Sequence, residues 1–303
     1  MILCCGEALI DMIPSGDDPM EYRACPGGAA LNAALALGRL GQKCGLMAGV
    51  STDPFGSFLE QTMRDNAVGT GTLIRSDRPT TLAFVHLQNG DASYSFYDQA
   101  SAGRQLEVSD LPDLPVPPAA MLMGGISLAS DPCGATWEAL ASRSAGSTVL
   151  MLDPNIRSAL ITEPTRMRER LDRMLALADI VKVSEEDLDW LAQGDPQQWI
   201  TDTARQSLLL VSRGERGASA YTPNGSVAEA SAPASRVVDT VAAGDTFNAA
   251  FLTWLSENGL LATAALPDLT SIQLERALSF ACSVASLSVE RRGANPPWRN
   301  ELP

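Results

Sequence analysis

A single histidine, His86, stands among 303 residues, and the six cysteines at 4, 5, 25, 44, 133 and 282 form no C-x-x-C pair. Without grouped thiols or imidazoles the chain offers no ligand set for a zinc site. Isolated cysteines in apolar company behave as small hydrophobes, so all six are read as reduced. Cys4 and Cys5 are neighbours in a strand-like run and are expected to face opposite sides of it. No apolar run approaches the length of a membrane-spanning helix, about eighteen residues or more. The opening stretch MILCCGEALIDMIP has no basic segment and meets Glu7 and Asp11 early, unlike a signal peptide. These absences lead to the expectation of a cytoplasmic protein with no membrane partner. Positive charge is scarce as well, with 22 Lys plus Arg against 36 Asp plus Glu and a formal charge of −14. That field repels a phosphate backbone and argues against nucleic acid, but it leaves room for a small anion held locally by helix N-termini and arginines. No internal repeat is visible, and the P-loop pattern G-x-x-x-x-G-K-[ST] is absent.

What the chain does have is a rhythm. Short apolar runs recur at 2–13, 43–50, 120–129, 148–155, 179–184 and 207–214. Nearly continuous hydrophobic strands of this kind belong to a sheet covered on both faces. Between them lie amphipathic segments such as ALNAALALGRLG, FGSFLEQTMRDN, TWEALASRSAG and TRMRERLDRMLALA, each long enough for a crossover helix. The pattern predicts one α/β domain over 1–303 with a doubly wound sheet flanked by helices. Two segments alternate instead like half-exposed strands: EYRACP at 21–26 and TTLAFVHLQNGDASYSFYD at 80–98, the second with a hairpin signal at Asn89–Gly90. They predict a small β-lid, formed by about 12–26 and 80–98, over the carboxyl ends of the early strands, where open α/β sheets bind ligands.

Two turns carry the chemistry. DTVAAGDTFNAAFL at 239–252 places small residues before a helical apolar pattern, so Asp245 sits at or near a helix N-terminus, where backbone amides attract an anion. Its carboxylate could equally cap that helix. PGGAALNAALALGRLG at 26–41 repeats the design, with Gly27 and Gly28 before a helix and Asn32 one turn in, where it is either functional or simply solvated. With GEALID near residue 6, STDPFG at 51–56, LDPNIR at 152–157, VSRGERGA at 211–218 and RRGAN at 291–295, these turns resemble the PfkB family of sugar and nucleoside kinases, whose fold is ribokinase-like.

The resemblance covers essentially the whole chain and implies roles residue by residue. Asp245 becomes the catalytic base, and Ala242, Ala243 and Gly244 become an anion hole for the transferring phosphate. Asp11, Gly27, Gly28 and Asn32 match sugar contacts, and Arg104 and Arg157 are candidates for the substrate pocket. Asp153 and Asn155 travel with Arg157 in DPNIR. The family's N-x-x-E motif falls on KVSEEDL, with Ser184 and Asp187 at the Asn and Glu positions, implying nucleotide and magnesium contacts. A serine cap with acids in the first helical turn fits that stretch equally well. ATP contacts fall on Ser212, Gly214, Gly217 and Asn295, and Asp239 matches a monovalent-cation position, with potassium as the candidate ion. His86 reads as a half-exposed strand residue, since no acid or nucleophile pattern accompanies it.

Within the family, TTLAFVHL followed by SYSFY most resembles bacterial fructokinases. The chain departs from their pattern at Asp98, where an arginine often follows FY, and this leaves the sugar open. A 2-keto-3-deoxygluconate kinase would use Arg104 or Arg157 for the acid group. A nucleoside kinase would need stacking from aromatics such as Phe84, Tyr94, Phe96 and Tyr97. A sensor that keeps the fold without catalysis is the reading from another class. The lid, a small sheet with an apolar face, implies a homodimer formed through it.

Overall fold

The computed structural model describes every residue except 16, 17, 19, 89 and 90. The strands are β1 (Ile2–Cys5), β2 (Leu9–Pro14), β3 (Tyr22–Gly27), β4 (Cys44–Met47), β5 (Gly49–Ser51), β6 (Ile74–Ser76), β7 (Leu82–Gln88), β8 (Asp91–Tyr97), β9 (Ala120–Gly124), β10 (Val149–Asp153), β11 (Ile180–Ser184), β12 (Leu208–Ser212), β13 (Ala218–Tyr221) and β14 (Val227–Ala230). The helices are α1 (Ala29–Arg39), α2 (Pro54–Asp65), α3 (Cys133–Ser144), α4 (Pro164–Leu175), α5 (Glu185–Ala192), α6 (Pro196–Ala204), α7 (Ala243–Glu257) and α8 (Ser271–Val289).

The main sheet runs β14-β13-β12-β11-β10-β9-β1-β4. It is parallel from β4 to β12 and antiparallel across β12-β13-β14. Alternating side chains feed two separate cores. Cys4, Leu122 and Met151 join residues of α1, α7 and α8 on one face. Cys5, Met123, Leu152 and Val183 join Trp137 of α3 and Leu171 of α4 on the other. Cys4 and Cys5 therefore do face opposite ways, and all six cysteines are free. The ribokinase-like α/β class read from the chain is the one observed.

The first apolar run is not a single strand. The chain leaves the main sheet after Cys5 and starts again at Leu9 in a second sheet, ordered β3-β2-β7-β8. An apolar stretch that is buried in both sheets carries no polar interruption to mark the crossing. The run at 43–50 divides likewise, with β4 in the main sheet and β5 paired to β6. In the small sheet β7 and β8 pair antiparallel, and the Asn89–Gly90 turn between them lies outside the described residues.

Helix α7 lies between α1 and α8 and is almost entirely buried. Alanines at 33, 34, 36, 249 and 250 let α1 and α7 approach closely, and Phe251 and Leu37 fill the space between the helices and the sheet. Because α7 carries the 242–245 turn at its start, its packing sets where that turn sits. Phe251→Ala should lower unfolding free energy by about 3–5 kcal/mol, read as a reduced denaturation midpoint.

Candidate active site

Two helix N-termini meet above the carboxyl ends of the parallel strands. Helix α1 begins after Gly28, whose φ of 105° suits glycine, and a Cβ there would lie 2.7 Å from the Glu7 carbonyl oxygen. No side chain at Gly28 caps the helix, and Glu7 does so from a distance: its carboxylate accepts from the Ala29 amide (3.1 Å) and the Ser127 amide (3.2 Å). Glu7 is only 7% exposed, and burial raises its carboxyl despite those donors. Reading the motifs gave Glu7 no role. The available signal was an acid set inside an otherwise apolar run.

At α7, Ala242 occupies the N-cap position with left-handed backbone (φ 62°), and Asp245 is the third helical residue. The carboxylate does not cap the helix. It accepts instead from the Asn32 side-chain amide at 3.0 Å, a bond between residues 213 positions apart, so Asn32 is buried and not solvated. The Asp245 carboxyl, 7% exposed, is pushed up to about 7, first by burial. The Asn32 bond and the Lys182 charge pull it down, while Asp153 and Glu7 push it further up. The turn offers less than the motif implied, because the Ala243 amide already donates to the Thr240 carbonyl (3.2 Å). The amide of Gly244, in the first helical turn, has no acceptor within the helix. A small cavity beside Asp245 is lined by Cys5, Gly124, Gly125, Asp153, Asn155 and Asn248.

The small sheet brings Asp11 to this cleft. Asp11 is not at a strand end but within β2, opposite Cys25 and Ala83. Burial raises its carboxyl to about 6. Gly27 clears its space, since a Cβ there would come within 2.0 Å of Asp11 Oδ2. By strand alternation Tyr94 and Phe96 share the Asp11 face, and Tyr94 feels the charges of Asp11, Arg157 and Asp239. Phe84 and Tyr97 lie on the opposite face, packed edge to face, and Tyr22 meets Phe84 in the same way. His86 bonds Ser95 at 3.0 Å on that outer face.

Several residues singled out in the sequence are engaged elsewhere. Arg104 pairs with Asp98 (2.9 Å) and reaches the Asp131 carbonyl (3.4 Å), so its charge is already matched. Arg157 is exposed and donates to the Ile156 carbonyl. Ser184 and Asp187 form a capping box at the start of α5, and the second Asp187 oxygen accepts from the Ile156 amide (2.7 Å). Both Asp187 oxygens are thus occupied, and no group of three or more His, Cys, Asp or Glu suited to a metal occurs among the described residues. The carboxylate ties the 154–157 loop to the start of α5. Asp239 accepts from the amides of Val241 and Gly293 (3.0 and 2.8 Å), which fastens the segment before α7 to the stretch that follows α8. The Asn295 side-chain oxygen accepts from Arg39 in the last turn of α1. Ser212 ends β12, and Gly214 and Gly217 bound the short turn into β13.

A carboxyl held near 7 in the folded state and near 4 in the unfolded chain makes the native state the tighter proton binder between those values. Stability from this group is therefore present at acidic pH and falls as pH rises toward 7. Asp245→Asn should stabilise the protein by about 1–2 kcal/mol at pH 8 and hardly at all below pH ~4, measured by denaturant unfolding at both values.

Comparison with known proteins places the chain in a family. The model of the pfkB family carbohydrate kinases matches residues 1–301. A fructokinase of Rhizobium leguminosarum bv. trifolii is 45% identical over 270 residues, covering 86% of this chain and 81% of the relative. The crystal structure of a Xylella fastidiosa fructokinase with bound ATP superposes with a TM-score of 0.88 at 30% identity, covering 100% of this chain and 94% of that one. A Vibrio cholerae O395 fructokinase crystallised with fructose, ADP and calcium gives 0.81 at 30% identity, covering 97% and 94%. This chain belongs to the pfkB family of carbohydrate kinases.

Proposed function

We propose that the protein is a fructokinase that transfers the γ-phosphoryl group of ATP to fructose, giving fructose 6-phosphate, with Asp245 as the base. The observation that carries this is a buried carboxylate, tuned to about 7, one residue from the Gly244 amide at a helix N-terminus. A group that titrates near neutrality is matched to accepting a hydroxyl proton. The sugar oxygen attacks the γ-phosphorus, the bond to ADP breaks, and the proton passes to Asp245. Phosphoryl transfer asks little covalent work of the protein, so positioning and amide donors do the rest.

The sugar lies between Asp11, Gly27 and Gly28 on one side and Asn32 on the other. Asn32 Oδ1 has no partner among the described residues and suits a sugar hydroxyl, while Asp11 accepts hydroxyl hydrogens with both oxygens. The nucleotide phosphates approach Ala242 and Gly244, with Arg157 across the cleft and Ser212, Gly214 and Gly217 toward the base. A divalent ion, magnesium by this reading, arrives on the phosphates with its waters rather than in a protein cage. A neutral ketohexose fits better than a sugar acid, because an added carboxylate would meet Asp11, Glu7 and Asp245 while Arg104 is neutralised by Asp98. A nucleoside would have to stack on Tyr94 and Phe96 alone, since Phe84 and Tyr97 point away from the cleft. The small sheet acts as a lid that excludes water. Its outer face, with Tyr22, Phe84 and Tyr97, pairs two copies in the cytoplasm, and sedimentation showing a monomer at micromolar concentration would refute that pairing.

Coupled ADP release with ATP, magnesium and a panel of fructose, 2-keto-3-deoxygluconate, ribose, tagatose and adenosine tests the proposal. Fructose should be preferred, and Asp245→Asn should cut kcat by about 10²–10⁴ with little change in fructose binding. A folded protein that binds a sugar without turnover would replace this reading with a sensor. Gly27→Ala, which displaces Asp11, should raise the fructose KM by on the order of 10- to 100-fold and leave the ATP KM unchanged.

A further inference from the structure

One buried charged pair beside Asp245 has no part in the transfer step just described. Lys182 of β11 and Asp153 of β10 lie on adjacent strands, two residues beyond the Met151–Ile180 pairing, on the face that carries α1 and α7. Their Nζ–Oδ2 distance is 3.1 Å, and they are 5% and 4% exposed. Asn248, on α7, donates to the same Asp153 oxygen at 2.6 Å, which ties the pair to the helix. A Cβ built on Gly244 would lie 3.3 Å from Lys182 Nζ, so the ammonium sits directly beneath the turn.

Such a pair is a poor way to gain stability. Removing two charges from water costs as much as their attraction returns, and apolar residues of similar volume often do as well. Apart from the pair itself and Ser184 the two strands are apolar, and Asp153 Oδ1 has no partner among the described residues. Its location supplies a better reason. We propose that Lys182, held in place by Asp153, is a positioning residue for phosphoryl transfer: it supports the 242–244 turn from below and sets the charge that Asp245 meets as it takes the hydroxyl proton. This rests on the kinase reading above.

The groups that face Asp245 come from every neighbouring element. Asn32 on α1 donates to it, Asp153 and Lys182 rise from β10 and β11, Glu7 lies between β1 and β2, and the Cys4 thiol of β1 is kept neutral by burial. Among them only Lys182 is cationic. Lys182 and Asp153 act on the Asp245 carboxyl in opposite directions, and the Lys182 ammonium is itself kept charged by Asp153 and Asp187.

The opposition gives a test that a loosened fold would not imitate. The Asp245 carboxyl carbon, assigned by comparison with Asp245→Asn, is titrated by NMR in the wild type, Lys182→Met, Asp153→Asn and the double variant. The pH dependence of fructose phosphorylation is recorded for the same proteins. The midpoint should move to higher pH in Lys182→Met and to lower pH in Asp153→Asn, and kcat of Lys182→Met should fall by on the order of 10- to 100-fold. If Lys182→Met does not fold, the neutral double variant decides: a midpoint near that of the wild type with a reduced plateau kcat is expected. Unmoved midpoints in both single variants, or wild-type kcat and KM in the double variant, would overturn the proposal. The titration needs no turnover, so a wild type that phosphorylates no sugar would sink the fructokinase reading while the role of the pair was still being read.

Discussion

The bond from Asn32 to Asp245 joins the first turns of α1 and α7, and the site exists only because that contact holds two helix N-termini side by side. Both N-termini carry a partial positive charge, and at α7 the Gly244 amide has no acceptor within the helix, so the wedge between them favours anions. A carboxylate placed there would ordinarily be strongly acidic. Burial reverses the tendency and brings Asp245 to about 7, a balance in which desolvation outweighs the Asn32 donor and the Lys182 charge. The close packing of alanines between α1 and α7 maintains the contact, which is why the core beneath the site and the chemistry above it cannot be separated.

The same balance reconciles an acidic chain with an anionic cosubstrate. A formal charge of −14 opposes a nucleotide at long range. Burial raises the Asp11 carboxyl to about 6 and the Asp245 carboxyl to about 7, so near neutrality Asp245 carries only part of a negative charge. Division of labour follows from the layout. Acids on the small-sheet side suit sugar hydroxyls, and amides at α7 with the exposed Arg157 suit phosphates.

Much of this was legible in the chain. Hydrophobic periodicity located α1 to α4 and the parallel strands, because a sheet covered on both faces writes continuous apolar runs. Asp245 and Asn32 were visible as polar residues just inside helices that open on small-residue turns. The crossing from β1 to β2 was hidden, since both sheets bury what they receive. Lys182 looked like one charge in a strand; its partner is 29 residues away and its role depends on the register of β10 against β11. Asp187, Arg104 and Asn295 show the reverse difficulty. Each matches a motif or a pocket by position, yet nearby backbone amides, Asp98 and Arg39 claim their polar atoms, and no local pattern announces those partners.

The most direct measurement compares two curves on one protein: kcat/KM for fructose phosphorylation against pH, and the titration of the Asp245 carboxyl. The account predicts a rate that rises with pH along the titration, both centred near 7, because the deprotonated carboxylate accepts the hydroxyl proton. A rate already at its plateau well below the Asp245 midpoint would contradict it.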